Sequence, residues 1–491
     1  MGALIVLSGL SGWAFYSAGD TLAYGDAEAH LNIARRIVDS LTPGYEQIGT
    51  VWLPLPHWVM LPFAVSDRLW QTGLAGLFVS AVSYVAAAML LFITARQTFA
   101  EPAAGYTAAL VFALNPNLLY LQSTPMTEPL FFACQLAMTA ALVWFQRSGR
   151  TGAVVAAGLL AALGALVRYE GWFLLPFASL AVLLSAREQR GAAVLVFSLL
   201  AALGPLYWLV HNRWIYANWW EFYNGPYSAL AIQGDRPYAG RGDWWTAARY
   251  FAAAAKECAG GASLGLAAVG LVGVVARRAW LPLVVLPASP LFYIASLHSG
   301  GTPIHLPELW PGGYYNTRYG MALWPLVAFA AGGVAALIPR RAVIAVVVLI
   351  SISPWLLYPR MSNWIVWKEA QVNSAARRAW TREAARFLRA QYRRGDRVYL
   401  SFGDQMGILR EAGIPLRESL HEGNGLTWFA ALRRPDLFWW QRWAIAREGD
   451  AISKAMKARK AACVQIIRVA GAPAIEIYQN AHPLRQGARR P

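Results

Sequence analysis

The sequence predicts a polytopic α-helical membrane protein with a small α/β domain at its C-terminal end, and three observations carry that reading. The 491 residues are 57% hydrophobic and only 14% charged, against roughly a quarter charged in soluble domains; the mean hydropathy is +0.37. Apolar runs recur up to residue 358, each to be measured against the roughly 20 residues that cross a bilayer core. Beyond that point helical and strand-like periodicities replace them.

Eleven apolar segments read as spans, near residues 3–19, 73–95, 103–121, 128–146, 152–168, 170–186, 192–213, 259–276, 279–297, 319–338 and 342–358. Val51–Val65 is apolar too, but it is short and holds Pro54, Pro56 and Pro62, so it reads as a re-entrant or interfacial piece. Met1–Leu10 lacks a basic n-region and no small-residue cleavage site stands out, so no cleavable signal peptide is expected. With a cytoplasmic N-terminus, the short inner loops hold Arg96, Arg147 with Arg150, Arg187 with Arg190, Arg277 with Arg278, and Arg340 with Arg341. Every one is basic, as the positive-inside rule asks. The extracytoplasmic face then receives the long loops 20–72, 211–258 and 298–318 and everything after residue 359. The expected organisation is a transmembrane domain over residues 1–358, including outer loop 20–72, and a basic extracytoplasmic domain over residues 359–491. The expected location is the inner (plasma) membrane, crossed many times.

The C-terminal stretch carries 24 Lys and Arg against 11 Asp and Glu, a balance of +13 within a net +17 for the chain. No nucleic-acid motif accompanies that charge, so anionic lipid headgroups or an anionic glycan are the expected partners, and nucleic acid is not. Ala375–Tyr392 has helical periodicity through Ala376, Trp380, Ala384, Phe387 and Leu388. Arg397–Phe402 is strand-like, and Asp404–Glu411 and Asp450–Arg459 read as helices. Ala462–Val469 and Ala474–Tyr478 read as strands around Gly471-Ala472-Pro473, a closing hairpin. No glycine-rich phosphate loop is present, so nucleotide binding is not expected. Cys134, Cys258 and Cys463 are far apart and odd in number, which supports neither a disulfide framework nor a zinc spacing.

The acidic pair Asp26 and Glu28 follows the first apolar segment directly, in Tyr24-Gly25-Asp26-Ala27-Glu28-Ala29-His30. Carboxylates are costly at a bilayer, which makes a pair at the mouth of the first span a site candidate. One can take a proton from an attacking hydroxyl while the other orients it or holds a metal ion. The same residues also suit a helix start, with Asp26 as N-cap and Glu28 as a first-turn dipole partner. Ala27–Leu41 places Leu31, Ala34, Ile37, Val38 and Leu41 on one side, with His30, Arg35, Arg36 and Asp39 elsewhere. That is the pattern of a helix lying along the membrane interface.

Further charged positions fall at expected outer ends of spans: Glu128 in Met126-Thr127-Glu128-Pro129, Arg168 and Glu170 in Val167-Arg168-Tyr169-Glu170, and Arg318 in Asn316-Thr317-Arg318-Tyr319. An arginine fork matches a pair of phosphate oxygens and stays charged beside lipid, so an outer arginine among aromatics can hold the phosphate of a polyprenyl carrier. Arg168 can equally be taken up in an ion pair with Glu170 or Glu128, and Arg318 can snorkel from a helix start. His57, in Trp52-Leu53-Pro54-Leu55-Pro56-His57, is a candidate donor or acceptor contact or a structural histidine. Outer-loop aromatics (Trp214, Trp219, Trp220, Phe222, Tyr223, Tyr227, Tyr238, Trp244, Trp245 and Tyr250) suit both an interfacial belt and stacking on sugar rings.

Taken in order, Gly25-Asp26-Ala27-Glu28, the Pro-rich Leu53–His57, Thr127-Glu128-Pro129, Arg168-Tyr169-Glu170 and Arg318-Tyr319 resemble the signature of the type-C (GT-C) membrane glycosyltransferases. The resemblance covers roughly residues 1–358 and points to the bacterial relatives of protein O-mannosyltransferases and of lipid A aminoarabinose transferase. It implies a GT-C-like fold, a polyprenyl-phosphate-linked sugar as donor, and inverting transfer to an acceptor hydroxyl on a glycan, lipid or protein at the outer face. It also implies Asp26 as general base with Glu28 as its partner, and Arg168 or Arg318 holding the departing lipid phosphate. His57, Glu128, Glu170 and Tyr319 are then further substrate-binding positions. The Asp-x-Glu spacing departs from the adjacent Asp-Glu pair of the protein mannosyltransferases, which leaves the acceptor class open. Family members differ in their use of metal. With only Asp26, Glu28, Glu128 and Glu170 to offer oxygen ligands, no obligatory metal is expected, a divalent ion being the alternative. A transporter or flippase of lipid-linked saccharides would share the many spans, but it would keep ionisable residues inside them. Here they gather at the outer ends.

Overall fold

The structure, a computed structural model, describes residues 1–357, 363–403, 405–481 and 483. Its contacts divide the chain into two compact units: Met1–Ala18, Thr50–Pro56 and Leu77–Ala370 form one, and Gly19–Gly49, His57–Gly76 and Gln371–Pro491 the other. The boundary expected after residue 358 thus falls after Ala370, and most of loop 20–72 belongs with the C-terminal residues.

In the first unit each of the apolar segments is helical. Among the described residues five helices are long and apolar enough to cross a membrane: Leu74–Phe99, Glu128–Ser148, Arg190–Tyr216, Leu281–Ser299 and Thr317–Leu337. Trp244–Ala259 and Gly261–Ala276, bent by 102°, make a sixth if counted together. Gly2–Ser17, Pro102–Ala113, Thr151–Ala165, Glu170–Ser185 and Arg341–Leu357 are apolar but have only 10–17 residues. The segment read as one span over 103–121 is cut by a helix start. The Asn115 side chain accepts from the Asn117 and Leu118 N–H groups at 2.9 and 3.3 Å, and Pro116 opens the next helix. An N-cap inside an apolar run is invisible to hydropathy.

Small residues bring two of these helices together. Gly270 and Gly273, on the Gly261–Ala276 helix, face Ala330 and Gly333 on the Trp324–Leu337 helix. A Cβ at Gly270 would overlap the Ala330 carbonyl, and one at Gly273 the Gly333 carbonyl. In a membrane, where lipid is as apolar as leucine, such close backbone approach is a main source of helix adhesion.

The second unit is built on a five-stranded sheet of β1 (Val398–Leu400), β2 (Ser419–Leu420), β3 (Trp443–Arg447), β4 (Ala462–Ile467) and β5 (Ile475–Gln479), in the order β2-β1-β3-β5-β4. β1 pairs in parallel with β2 and β3, while β5 runs antiparallel to both β3 and β4. The β4–β5 hairpin is the one the sequence predicts. Asp450 caps the Ala451–Ala458 helix by accepting from Ser453 N–H at 2.7 Å. Met406–Ala412 is the expected helix after β1, Asp404 lying outside the described residues. Tyr399, Leu420, Trp428, Ala444, Ile452, Met456 and Tyr478 form the core over this sheet.

The Gly25–Arg36 helix belongs to the same unit, and here the expectation of an interfacial helix is corrected. Not only Leu31 and Ala34 but also His30, Asn32, Arg35 and Arg36 are buried. Amphipathic patterning fits a helix with hydrogen-bonded polar residues inside a protein as well as one lying on lipid.

The glycine contact yields a test. Gly270→Leu overpacks a contact with no slack, at a cost of about 1–3 kcal/mol or more, and is expected to lower the unfolding temperature of the purified chain in detergent. Gly265→Leu, whose added Cβ meets nothing within 4 Å, is expected to leave it unchanged; equal unfolding temperatures for the two variants would refute the packing.

Candidate functional site

In the unit that holds the sheet, Tyr24 is the N-cap of the Gly25–Arg36 helix, so Asp26 and Glu28 both stand in its first turn, where negative charge complements the helix dipole. Two positions along a helix are about 200° of rotation, so the two carboxylates leave from nearly opposite sides. Asp26 is partly exposed, whereas Glu28 is buried at 4% exposure. Arg377 pairs with Glu28 Oε2 and also donates to the Leu22 and Ala23 carbonyls at 3.2 and 2.7 Å. Arg410 Nε donates to Glu28 Oε1 at 3.0 Å, and its Nη1 to the Gln71 carbonyl at 2.6 Å. The expected partnership of Glu28 with Asp26 is therefore corrected: Glu28 is bound to two arginines on the far side of the turn.

The neighbouring acids follow the same pattern. Asp20 pairs with Arg378 at 3.1 Å. Asp39 is held by Arg35 at 2.8 Å and Arg417 at 3.0 Å, and by the Leu416 and Arg417 N–H groups at 3.2 Å each. Of the four acids between residues 20 and 39, three are buried and bound to arginine; Asp26 is the one that is partly exposed. His57 lies in this unit too, fully buried, with its Nε2 3.0 Å from His30 Nδ1.

The helical unit holds the remaining candidates, and it brings them together. Thr127 precedes Glu128 at the start of the Glu128–Ser148 helix, and Glu170 starts the Glu170–Ser185 helix, so both carboxylates sit at helix N-termini. Arg168, in the turn before Glu170, engages each of its nitrogens. Nε donates to Glu170 at 2.7 Å, Nη1 to Thr127 Oγ1 at 2.7 Å with Glu128 at 3.1 Å, and Nη2 to the Tyr293 hydroxyl at 2.6 Å. Tyr293 in turn donates to Glu170 at 2.8 Å. Arg318 bridges Glu128 and Glu369, each at 3.2 Å, and its guanidinium lies 5.3 Å from the centre of the Tyr319 ring. Tyr319 stacks on Tyr293 at 4.4 Å. Glu369 also accepts from the Asn316 and Thr317 N–H groups at 3.1 and 2.6 Å. Burial pushes its carboxyl above the ordinary range against the pull of Arg318 and these hydrogen bonds.

Two arginines thus serve three buried glutamates, and the forks expected to hold a phosphate are occupied by carboxylates. What the network leaves over is an acceptor: Glu128 Oε2 is buried and has no hydrogen-bond partner. Sequence reading missed Glu369, Tyr293, Arg377 and Arg410, all ordinary helix residues in sequence terms. The last two are separated from Glu28 by 349 and 382 residues. Among the described residues, no group of three or more His, Cys, Asp or Glu is placed to hold a metal ion. Of the outer-loop aromatics, Trp214, Trp219, Trp220, Tyr223, Tyr227, Trp244 and Trp245 are exposed, while Tyr238 and Tyr250 are buried.

Comparison with known proteins places these features. Residues 55–211 match the family model for dolichyl-phosphate-mannose-protein mannosyltransferase. No curated protein matches the chain. Among solved structures, ArnT from Cupriavidus metallidurans bound to undecaprenyl phosphate is similar with a TM-score of 0.57 at 13% identity, over 97% of this chain and 98% of that one. The same protein in its apo state gives 0.54 at 13% identity, over 95% and 97%. At that identity the likeness is one of fold. Motif order, family match and shared fold together bear out the sequence resemblance: the chain is an integral membrane protein with the fold of the type-C (GT-C) glycosyltransferases.

Proposed function

We propose that this protein transfers a sugar from a polyprenyl-phosphate-linked donor to an acceptor hydroxyl, with inversion at the anomeric carbon and Asp26 as general base. The family match and the likeness to a protein crystallised with undecaprenyl phosphate support the donor class. The observation that carries the assignment of the base is the selective exposure of Asp26. Its three acidic neighbours are buried and bound to arginine, and Asp26 is partly exposed on a helix they hold in place.

In this reading the acceptor hydroxyl gives its proton to Asp26 as its oxygen bonds to the anomeric carbon. The bond from that carbon to the phosphate oxygen breaks, and the polyprenyl phosphate leaves with the electron pair. Glu28 does no proton transfer; it fixes the turn that carries Asp26. In the helical unit, Arg168 and Arg318 hold Glu128. The chemistry takes place on the extracytoplasmic face that the basic short loops assign.

Two substitutions separate the roles. Asp26→Asn is expected to cut transfer of radiolabel from polyprenyl-phosphate sugars into a membrane extract by about 10²–10⁴-fold with no change in unfolding temperature. Normal turnover by this variant would sink the assignment. Glu28→Gln leaves Arg377 and Arg410 without their shared anion, and breaking a buried pair from one side costs about 3–5 kcal/mol. It is therefore expected to lower the unfolding temperature markedly, and a variant as stable as wild type would show that the clamp is not structural.

A further inference from the structure

In the helical unit, the Leu74–Phe99 and Glu128–Ser148 helices are both long and apolar enough to cross a membrane, and each carries an arginine in its last turn, Arg96 and Arg147. Along the second of these helices Arg147 stands about 30 Å from Glu128, at 1.5 Å per residue, so these ends are remote from the glutamate network. A cleft of about 560 Å³ opens between the two ends, lined by Ile93, Arg96, Gln97, Ala100, Pro102, Trp144 and Arg147. Its size falls within the roughly 300–1,000 Å³ of ordinary small-molecule sites.

Local sequence builds this cleft. Ala100 turns the chain at a φ of 55°, and Pro102 opens the Pro102–Ala113 helix. Gly105 in that helix lies so close to the Leu74–Phe99 helix that an added Cβ would stand 2.9 Å from the Phe92 carbonyl oxygen and 3.0 Å from Arg96 Cβ. Tyr106 packs on Phe92 at 4.9 Å. On the other side, Arg147 Nη1 donates to the Gln97 carbonyl at 2.5 Å and ties the two helix ends together. The charge in the cleft has one sign. Both arginines are exposed, and neither is paired with a carboxylate among the described residues. Glu101, the acid nearest in sequence, caps the next helix by accepting from the Ala103 N–H at 3.1 Å. Below the arginines the wall turns apolar: Ile93 and Trp144 each stand one turn before an arginine on the same side of the helix, and are 37% and 41% exposed. The positive-inside rule accounts for arginines in short loops, but not for two of them lining one cleft.

We propose that this cleft binds an anionic phospholipid, its phosphate between Arg96 and Arg147 and the start of its acyl chains along Ile93 and Trp144. Two cations at the ends of two spans, each with an apolar or aromatic side chain one turn deeper, match a phosphate at headgroup level with hydrocarbon beneath it. A free phosphate would use the arginines and leave the apolar wall uncovered, so the lipid is the occupant the cleft fits. The site lies within the helical unit and stands whether or not the protein transfers a sugar.

The test is equilibrium binding of radiolabelled phosphatidylglycerol to the delipidated full-length chain in detergent, with thermal unfolding in parallel. Wild type is expected to bind saturably and to resist displacement by unlabelled phosphatidylcholine. Arg96→Gln is expected to weaken binding about fivefold with no change in unfolding temperature, and Arg96→Lys to retain most of the affinity. Arg147→Gln is expected to weaken it similarly while also losing the bond to the Gln97 carbonyl. Arg187→Gln removes an exposed short-loop arginine outside the cleft and is expected to bind like wild type. Equal displacement by phosphatidylcholine overturns the proposal, as does unchanged affinity in folded Arg96→Gln. An equal loss in Arg187→Gln also overturns it, since general surface charge would then explain the binding. Displacement by glycerol 3-phosphate at the same concentration as the lipid marks a site for soluble phosphate and overturns the choice of occupant. Because no sugar transfer is read, failure of Asp26 as base and failure of this site are separate results.

Discussion

A carboxylate removed from water must find cations, and Glu28 meets that constraint with two arginines that arrive from far along the chain. Arg377 and Arg410 can reach it only if the Gly25–Arg36 helix lies within the C-terminal unit. Once that is so, Asp20 and Asp39 find Arg378 and Arg417 in the same unit. The sheet-bearing unit is discontinuous in sequence for this reason. Part of its excess positive charge, read from the sequence as an attraction for anionic lipid or glycan, is spent internally on the acids of residues 20–39. Unpaired, each of these buried carboxylates would cost several kcal/mol after relaxation. Paired, they specify which helix belongs where.

The helical unit solves the same problem with the opposite imbalance. Glu128, Glu170 and Glu369 outnumber Arg168 and Arg318, and the deficit is made up by neutral donors: the Tyr293 hydroxyl on Glu170, and Thr317 and two backbone N–H groups on Glu369. Buried ionisable residues are costly unless paired and hydrogen-bonded. Here they are tied into one network running from Glu170 to Glu369 through both arginines. Each arginine would have to give up a carboxylate before it could hold a phosphate. Glu128 Oε2 is left without a hydrogen bond, an acceptor where the sequence suggested donors.

Much of this architecture was legible because its causes are local. Apolar length marks the helical segments, Asp450 stands before its helix as a capping residue must, and the Gly471-Ala472-Pro473 turn separates two strands that do pair. The order of acidic and basic motifs was legible too, and it led to the right fold. What stayed hidden depends on contacts distant in sequence. No periodicity separates Glu28 from Asp26 as the buried member of the pair, because the difference is made by arginines 349 and 382 residues away. Nor does the amphipathic pattern of the Gly25–Arg36 helix say whether its polar side meets lipid headgroups, water or, as found, other side chains. β2 has only two residues, too few for alternation to register.

At 13% identity the likeness to ArnT transfers a fold, and the role of each residue has to be argued from its surroundings. The surroundings of Asp26 make one such argument. A general base works only if it is held at hydrogen-bond distance from the proton it takes, and a displacement of about 1 Å can cost 10²-fold in rate. Asp26 shares a helical turn with Glu28, so fixing Glu28 with two arginines also fixes the backbone from which Asp26 projects. The arginines come from the C-terminal stretch of the chain. In the transferase reading, that stretch has a catalytic consequence without supplying a catalytic residue: it holds rigid the one acidic turn where proton transfer would occur.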